Sequence, residues 1–137
     1  MADNASDYLE DALGDHVFNK VSLTTPNTWV ALYTVAPTDT GGGTEVTQGG
    51  AYARIKVNPN GSSAPTWNLA SAGVVDNNGA ITWTTASDNW GTVAALGVLD
   101  ASTAGNLLVY GNLTASKSVS TGDVFTIPAG ALDVTIT

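Results

Sequence analysis

The 137-residue chain has no cysteine and very little positive charge. Without cysteine it can form neither disulfides nor thiolate metal sites, and cysteine nucleophiles are excluded. Four lysines and arginines stand against twelve acidic residues, which gives a formal net charge of −8. A chain with so few cations can neutralise only a few phosphates, and it is only weakly attracted to anionic lipids. The composition therefore predicts that neither nucleic acid nor a membrane is a partner.

Long apolar runs are also absent. The longest, VAALGVL, begins at Val93 and is far shorter than the roughly 18 to 20 residues of a membrane-spanning helix. The first residues, MADNASDYLEDAL, are acidic and lack the apolar core of a secretory signal. We therefore expect a protein that is made in the cytoplasm.

Residues that could carry catalysis or bind a metal are scarce. The one histidine, His16, lies in a predicted helix, far along the chain from any serine in a nucleophile elbow. Residues 76–79, DNNG, begin like a calcium loop but lack its alternating ligands and its final glutamate. The glycines at 41–43 and 49–50 are not followed by the lysine of a phosphate-binding loop. The sequence thus predicts no catalytic residue, no metal and no cofactor.

What the chain does contain is a series of short apolar runs separated by turn residues. The densest, Val93 to Leu113, consists of two β-type runs joined by DASTAG and predicts a hairpin. Within it, Gly97 and Gly111 indicate bulges or a close backbone approach. TWVALYT, from Thr28, is apolar on both faces and predicts a central strand. Together these runs predict an all-β single domain, a β-sandwich, jelly-roll-like fold or barrel of about eight short strands.

Residues 51–57, AYARIKV, alternate with period two and predict a further strand. The alternation places one set of side chains inward and the other outward. We expect Ala53, Ile55 and Val57 to face inward, and Tyr52, Arg54 and Lys56 to face outward.

Three segments predict connections between strands. Residues 36–50 contain five glycines and indicate a long flexible loop, of a length that is usually functional or mobile. Residues 76–79 predict a tight turn, because Asn and Gly tolerate positive φ. Residues 114–122, TASKSVSTG, predict a polar connection before the last strands.

Residues 6–18 form the one convincing helix. Ser6 or Asp7 can cap its start, and Leu9, Leu13 and Val17 recur at helical spacing as an apolar stripe. The helix is expected either to cover one end or face of the sheet or to reach a neighbouring subunit. We accordingly divide the chain into an N-terminal helical contact arm, 1–20, and a β-sandwich domain, 21–137.

Three tryptophans, Trp67, Trp83 and Trp90, lie among Asn, Asp and Thr. Two interpretations are open. They are core or interface residues, which we favour because large aromatics dominate both, or they form a face on which a sugar stacks.

Nearly the whole chain resembles a family of small virion proteins of tailed bacteriophages, described as structural, tail-fibre-like or decoration proteins. The resemblance is carried, in order, by SDYLEDALGDHVF (6–18), WVALYTVAPTDTGGGTEV (29–46), AYARIKV (51–57), ITWTTASDNWGTVAALGVLDASTAGNLLVYGNL (81–113) and SVSTGDVFTIPAGALDVTI (118–136).

The resemblance implies a non-enzymatic component of the virion, made in the host cytoplasm. We favour a capsid decoration or cement protein, a homotrimer that binds the major capsid protein and its own copies at capsomer junctions. The alternative is a tail-fibre or baseplate subunit, with a host glycan as its ligand. The contact residues expected from the helix, the 36–50 loop and the tryptophans are Tyr8, Leu9, Leu13, Val17, Thr44, Glu45, Val46, Trp67 and Trp90.

Overall fold

The computed structural model describes residues 4–136, in which eleven strands and one helix form a single all-β domain. The predicted fold class is confirmed. Five of the strands have only two residues, and the strands are more numerous than the sequence predicts. In chain order the elements are β1 (Asn4–Ala5), α1 (Asp7–Phe18), β2 (Thr28–Val35), β3 (Thr44–Glu45), β4 (Ile55–Val57), β5 (Thr66–Trp67), β6 (Val74–Asn78), β7 (Ile81–Thr82), β8 (Gly91–Leu99), β9 (Leu107–Val119), β10 (Thr126–Ile127) and β11 (Asp133–Thr135).

The largest sheet has six antiparallel strands and is built on the predicted hairpin. Its order is β1-β9-β8-β2-β3, and β4 also pairs with β2. The hairpin of β8 and β9 is thus confirmed, as is the central position of β2, which has neighbours on both sides. Two smaller antiparallel sheets, β10-β7 and β11-β6-β5, complete the domain.

The core follows from the alternation of side chains along the central strands. In β2, Val30 and Leu32 join the main hydrophobic cluster, whereas Ala31 and Tyr33 join a second, smaller cluster. The main cluster also includes side chains from both smaller sheets, such as Ile127 of β10 and Val134 of β11. These sheets therefore share one core with the largest sheet, and the second cluster lies on the opposite face of β2.

The predicted polar connection at 114–122 is wrong, because β9 continues through most of it. Residues 117–119 pair with the first residues of β8, Gly91 to Val93, and Val119 is buried. Residues 114–118 are all exposed, and since successive side chains point to opposite faces, solvent reaches both faces of this part of β9. Pairing across the hairpin thus decides the structure of a segment whose composition is typical of a loop.

The facing predicted for residues 51–57 is also wrong in part. Tyr52 and Arg54 are buried and Ala53 is exposed. The strand itself begins only at Ile55, and Ala51 has a φ of 65°. Residues 51–54 therefore alternate in the opposite phase to the prediction, and Arg54 is buried because its guanidinium binds the Glu45 carboxylate and two carbonyls.

Residues 76–79 are not a simple turn, since β6 includes Asp76, Asn77 and Asn78. Asn77 is fully buried. Its amide nitrogen donates to the carbonyls of Gly79 and Pro128 at 2.7 and 3.0 Å, and its side-chain oxygen accepts from the Leu132 N–H at 2.9 Å. The asparagine therefore fixes the 128–132 bend against β6.

The predicted helix is confirmed as α1, with Ser6 as its N-cap. Asp7 and Glu10 lie in its first turn and His16 in its last, as the helix dipole favours. None of its residues is fully buried, so α1 lies at the surface of the domain. Within residues 4–136 no helix is both long and apolar enough to cross a membrane.

Candidate functional site

A cleft of about 480 Å³ opens where the start of α1, the 36–43 segment and the β8–β9 loop meet. Its volume falls in the range of roughly 300 to 1,000 Å³ that is typical of small-molecule sites. Three segments that are distant in sequence thus build one concave surface. The lining residues are Ser6, Asp7, Tyr8, Tyr33, Asp39, Thr40, Gly41, Gly42, Leu99, Gly105, Asn106 and Leu107.

Ser6 attaches the start of α1 to this cleft. The buried Ser6 hydroxyl donates to the Leu107 carbonyl and accepts from the Leu9 N–H at 3.3 Å. The Ser6 N–H donates to the Leu108 carbonyl at 2.9 Å, and the Asp7 N–H donates to the Asp39 carbonyl at 3.1 Å. The capping residue that begins the helix therefore also fixes the rim of the cleft.

Tyr33 forms part of the cleft wall. The residue is only 5% exposed, and its ring lies against Gly97, which has no side chain to obstruct it. Burial raises the pKa of the Tyr33 hydroxyl, the Glu45 charge raises it further, and Arg54 opposes the shift.

Two side-chain pairs orient the polar groups of the cleft. The Tyr110 hydroxyl donates to Asp39 Oδ1, and this hydrogen bond raises the pKa of Tyr110 to about 12. Asp100 accepts from the Asn106 backbone N–H at 2.7 Å and from its side-chain amide at 2.8 Å. The Asp39 carboxylate and the Asn106 amide are therefore held in place before any ligand arrives.

The β8–β9 loop beside the cleft is held by Arg54. Its Nη1 donates to the carbonyls of Ala101 and Ala104 at 2.8 and 2.7 Å, while Nε and Nη2 bind the Glu45 carboxylate. Tyr52 donates to the same carboxylate at 2.9 Å. This network joins β3 to the β8–β9 loop, which contributes Gly105 and Asn106 to the cleft wall.

The cleft is acidic. Asp7 and Asp39 contribute carboxylates, and no lysine, arginine or histidine lies among its lining residues. Leu99 and Leu107 add an apolar portion beside Tyr8, whose side chain is exposed. The surface thus offers hydrogen-bond acceptors next to apolar area.

The contact residues expected on α1 differ in how far they are buried. Leu9 and Leu13 are half-buried, and Leu9 packs against the main core. Val17 is exposed, and so is Tyr8 at the cleft. The sequence missed Phe18 and Val21, which are also exposed near the end of α1.

The expected contact residues after the glycine run do not form a common surface. Thr44 is exposed, Glu45 is half-buried in its pair with Arg54, and Val46 is buried in the core. The segment is also less loop-like than predicted, because it contains β3. Val46 therefore supports the core.

Trp83 and Trp90 are core residues, so the three tryptophans do not form a common face on which a sugar could stack. Trp83 and Trp90 are buried in the main cluster. Trp67 is half-buried and packs against that cluster. It shares an apolar groove of about 230 Å³ with Leu9 and Ile136. Two of the three rings are thus inaccessible to a ligand.

The cleft itself was not predicted. Its polar groups, Tyr33, Asp39 and Asn106, lie in three separate segments, and only the folded sheet brings them together. In the part of the chain that the structure describes, no group of three or more His, Asp or Glu residues could hold a metal ion.

The structure thus defines an all-β domain with a preformed acidic cleft and an exposed apolar helix end. Residues 4–135 match the family model described as Podophage GP4 fiber I protein gp80, and the chain belongs to that family. This confirms the resemblance to virion structural proteins of tailed bacteriophages. Among curated proteins no match was found.

Proposed function

We propose that the protein is a non-enzymatic subunit of a podophage tail fibre, and that it joins a neighbouring virion protein through the apolar end of α1. We define the apolar end as Val17, Phe18 and Val21. The observation that carries the proposal is their exposure: 65% for Val17, 83% for Phe18 and 55% for Val21.

The apolar end is an ordered part of the domain. The N–H groups of Asn19 and Val21 donate to the Asp15 carbonyl at 2.9 and 3.2 Å, and the Leu23 N–H donates to His16 Nδ1 at 3.3 Å. The chain after α1 therefore folds back on the last turn of the helix. The backbone of the apolar end is thus already ordered, so its side chains alone lose conformational entropy when a partner covers them.

Burial of the apolar end against a partner is favourable. Complete burial of a Phe or Val side chain contributes about 1.5 to 3 kcal/mol each.

The fibre placement rests on the description of the family, which names a fiber protein. The capsid placement, with the major capsid protein and a homotrimer as partners, stays a prediction from the resemblance. Both placements use the helix as a contact element. The tail is proposed because the family description supports it, whereas no contact or cavity described above favours the capsid.

The proposal is tested by replacing both Val17 and Phe18 with serine in the phage. Leu69→Ser is the matched control, since Leu69 is 77% exposed but lies outside α1. Point changes are preferable to removal of the helix, because Ala5 pairs with β9 and Leu9 packs on the core. Virions carrying the double change should lack the protein, and the control should retain it. Equal incorporation of both variants, at unchanged thermal stability, contradicts the proposal.

A further inference from the structure

We infer that the virion protein that covers the apolar end of α1 is a different protein from this chain, and that it presents lysine or arginine side chains to Asp11 and Asp15. The inference rests on the proposed function and names the chemistry of the partner. It concerns the exposed face of α1 that leads to the apolar end, together with the groove beside that face.

The helix α1 has little support from the rest of the domain. It has 12 residues, and none of them is fully buried. Isolated helices of that length are only marginally stable in water, because most helical stability in proteins comes from the packing of one face. The helix therefore has surface left to bury, and a partner on its exposed face would stabilise it.

The exposed face carries Asp11, Asp15 and Phe18. Their spacing of four and then three residues places them one above another on the same side of the helix, and all three are exposed. A groove of about 440 Å³ lies beside the two carboxylates, between α1 and residues 21–24, and Val21 also lines it. Because Phe18 and Val21 belong to the apolar end, the acidic and apolar groups form one continuous surface.

The negative charge of α1 is not compensated within the domain. Four of the twelve acidic residues of the chain lie in this helix: Asp7, Glu10, Asp11 and Asp15. Within residues 4–136 none of these four carboxylates forms an ion pair. A partner that covers this face would therefore bring the compensating positive charge.

Asp15 breaks the usual charge preference of a helix. It lies in the last turn of α1, where the helix dipole favours cations and an acidic side chain destabilises. Asp7, Asp11 and Asp15 also recur at every fourth residue, a spacing at which like charges repel. The Asn19 side-chain amide donates to Asp15 at 2.7 Å but carries no charge. Residues that break a local rule are expected at functional surfaces, and a cation on the partner would offset both unfavourable effects.

A lysine or arginine side chain suits both parts of the groove. Such a side chain packs its aliphatic stem on apolar surface while its charged end meets a carboxylate. The groove offers both, since Tyr8 and Leu23 line it together with Asp11 and Asp15. Complementary charges across an interface select the partner and speed its approach.

A second copy of this chain is a poor source of that cation. The chain has only four lysines and arginines, and one of them, Arg54, is buried in its pair with Glu45. With a formal net charge of −8 on each, two copies would also repel each other. The partner is therefore another component of the virion.

The test is a competition for places in the virion. The phage is grown with the wild-type protein and one variant expressed in equal amounts, and mass spectrometry gives their ratio in the lysate and in purified virions. The variants are Asp11→Lys and Asp15→Lys. Asp133→Lys is the matched control, because it makes the same change of charge at an exposed position on β11. Val17→Ser combined with Phe18→Ser tests the proposed attachment in the same competition.

We expect Asp11→Lys and Asp15→Lys to be about ten-fold less abundant, relative to the wild type, in virions than in the lysate. The control should have the same ratio in both. Thermal unfolding of the purified variants should match the wild type, because the replaced side chains are exposed.

The inference is overturned if the Asp11 and Asp15 variants enter virions as well as the control does. If they do so while the double serine variant is excluded, attachment through the apolar end stands and only the cationic partner is wrong. Sedimentation of the isolated chain tests the remaining occupant. Self-association that Asp11→Lys abolishes would identify the partner as a second copy and would also overturn the inference.

Discussion

Arg54 and Glu45 form a two-pronged ion pair, with Nε 2.9 Å from Oε1 and Nη2 2.7 Å from Oε2. The Arg54 side chain is 5% exposed and that of Glu45 is 20% exposed. The hydrogen bonds to Glu45 raise the pKa of Arg54, and burial opposes that shift. Since the same guanidinium binds two carbonyls of the β8–β9 loop, one side chain connects β3 with the cleft.

Replacing Arg54 with leucine should lower the free energy of unfolding by about 2 kcal/mol. Breaking a buried pair costs about 3 to 5 kcal/mol, and the partial exposure of Glu45 reduces that penalty. Arg54→Lys should also destabilise, because an ammonium group cannot reproduce the planar fork. Urea unfolding measures the free energy of unfolding of both variants. Asp133→Asn is the control, because Asp133 is exposed on β11. Wild-type stability of Arg54→Leu would show that the pair contributes nothing.

Asn77→Ala should destabilise the domain by about 2 kcal/mol. The change leaves the buried Leu132 N–H without its acceptor, which costs about 1 to 3 kcal/mol, whereas the exposed Pro128 still accepts from the Ala131 N–H. The neighbouring residue supplies the control, because Asn78 is exposed and Asn78→Ala should change stability by less than about 0.5 kcal/mol. Equal effects of the two changes in denaturant unfolding would contradict this assignment.

Two glycine substitutions should act in opposite directions. At Gly97 an added Cβ would lie 2.9 Å from Leu107 Cδ1 and 3.0 Å from Tyr33 Cε2, so Gly97→Ala should cost about 1 to 3 kcal/mol and displace the Tyr33 ring. At Gly14, in α1, nothing lies within 4 Å, so Gly14→Ala should stabilise by about 0.5 to 1 kcal/mol. Thermal and urea unfolding show whether each substitution stabilises or destabilises the domain. A neutral Gly97→Ala with unchanged NMR shifts of the Tyr33 ring would refute the close approach.

The Tyr110–Asp39 hydrogen bond should make stability depend on alkaline pH. The folded pKa of Tyr110 is about 12, above its ordinary 10.0, so the favourable contribution is complete below pH 10.0 and is lost as the pH rises to about 12. Difference spectra of phenolate absorbance between wild type and Tyr110→Phe isolate this group. In Asp39→Asn the titration should move towards the ordinary value. An unshifted midpoint in that variant would contradict the pairing.

Local pattern was enough to predict α1, the central strand and the hairpin. In each case the signal lies within a few neighbouring residues, such as Ser6 as the cap or the alternation around Leu32. Gly97 was also predicted correctly as a point of close approach, since it lies against Tyr33 and Leu107.

The errors arise where distant partners decide the structure. Asn77 has the composition of a turn residue, yet its hydrogen bonds to the 128–132 bend place it in a buried strand. Arg54 faces inward because Glu45 and the β8–β9 loop satisfy its charge and donors. The cleft could not be predicted for the same reason: Tyr33, Asp39 and Asn106 meet only after the sheet forms.

The most direct test of the fibre proposal is cryo-electron microscopy of purified virions at a resolution that identifies this chain. We predict density for the domain on the tail, with Val17, Phe18 and Val21 covered by a neighbouring protein and the cleft open to solvent. Density confined to the capsid lattice would contradict the fibre placement and support the decoration role. Density on the tail with the apolar end exposed would contradict the proposed attachment.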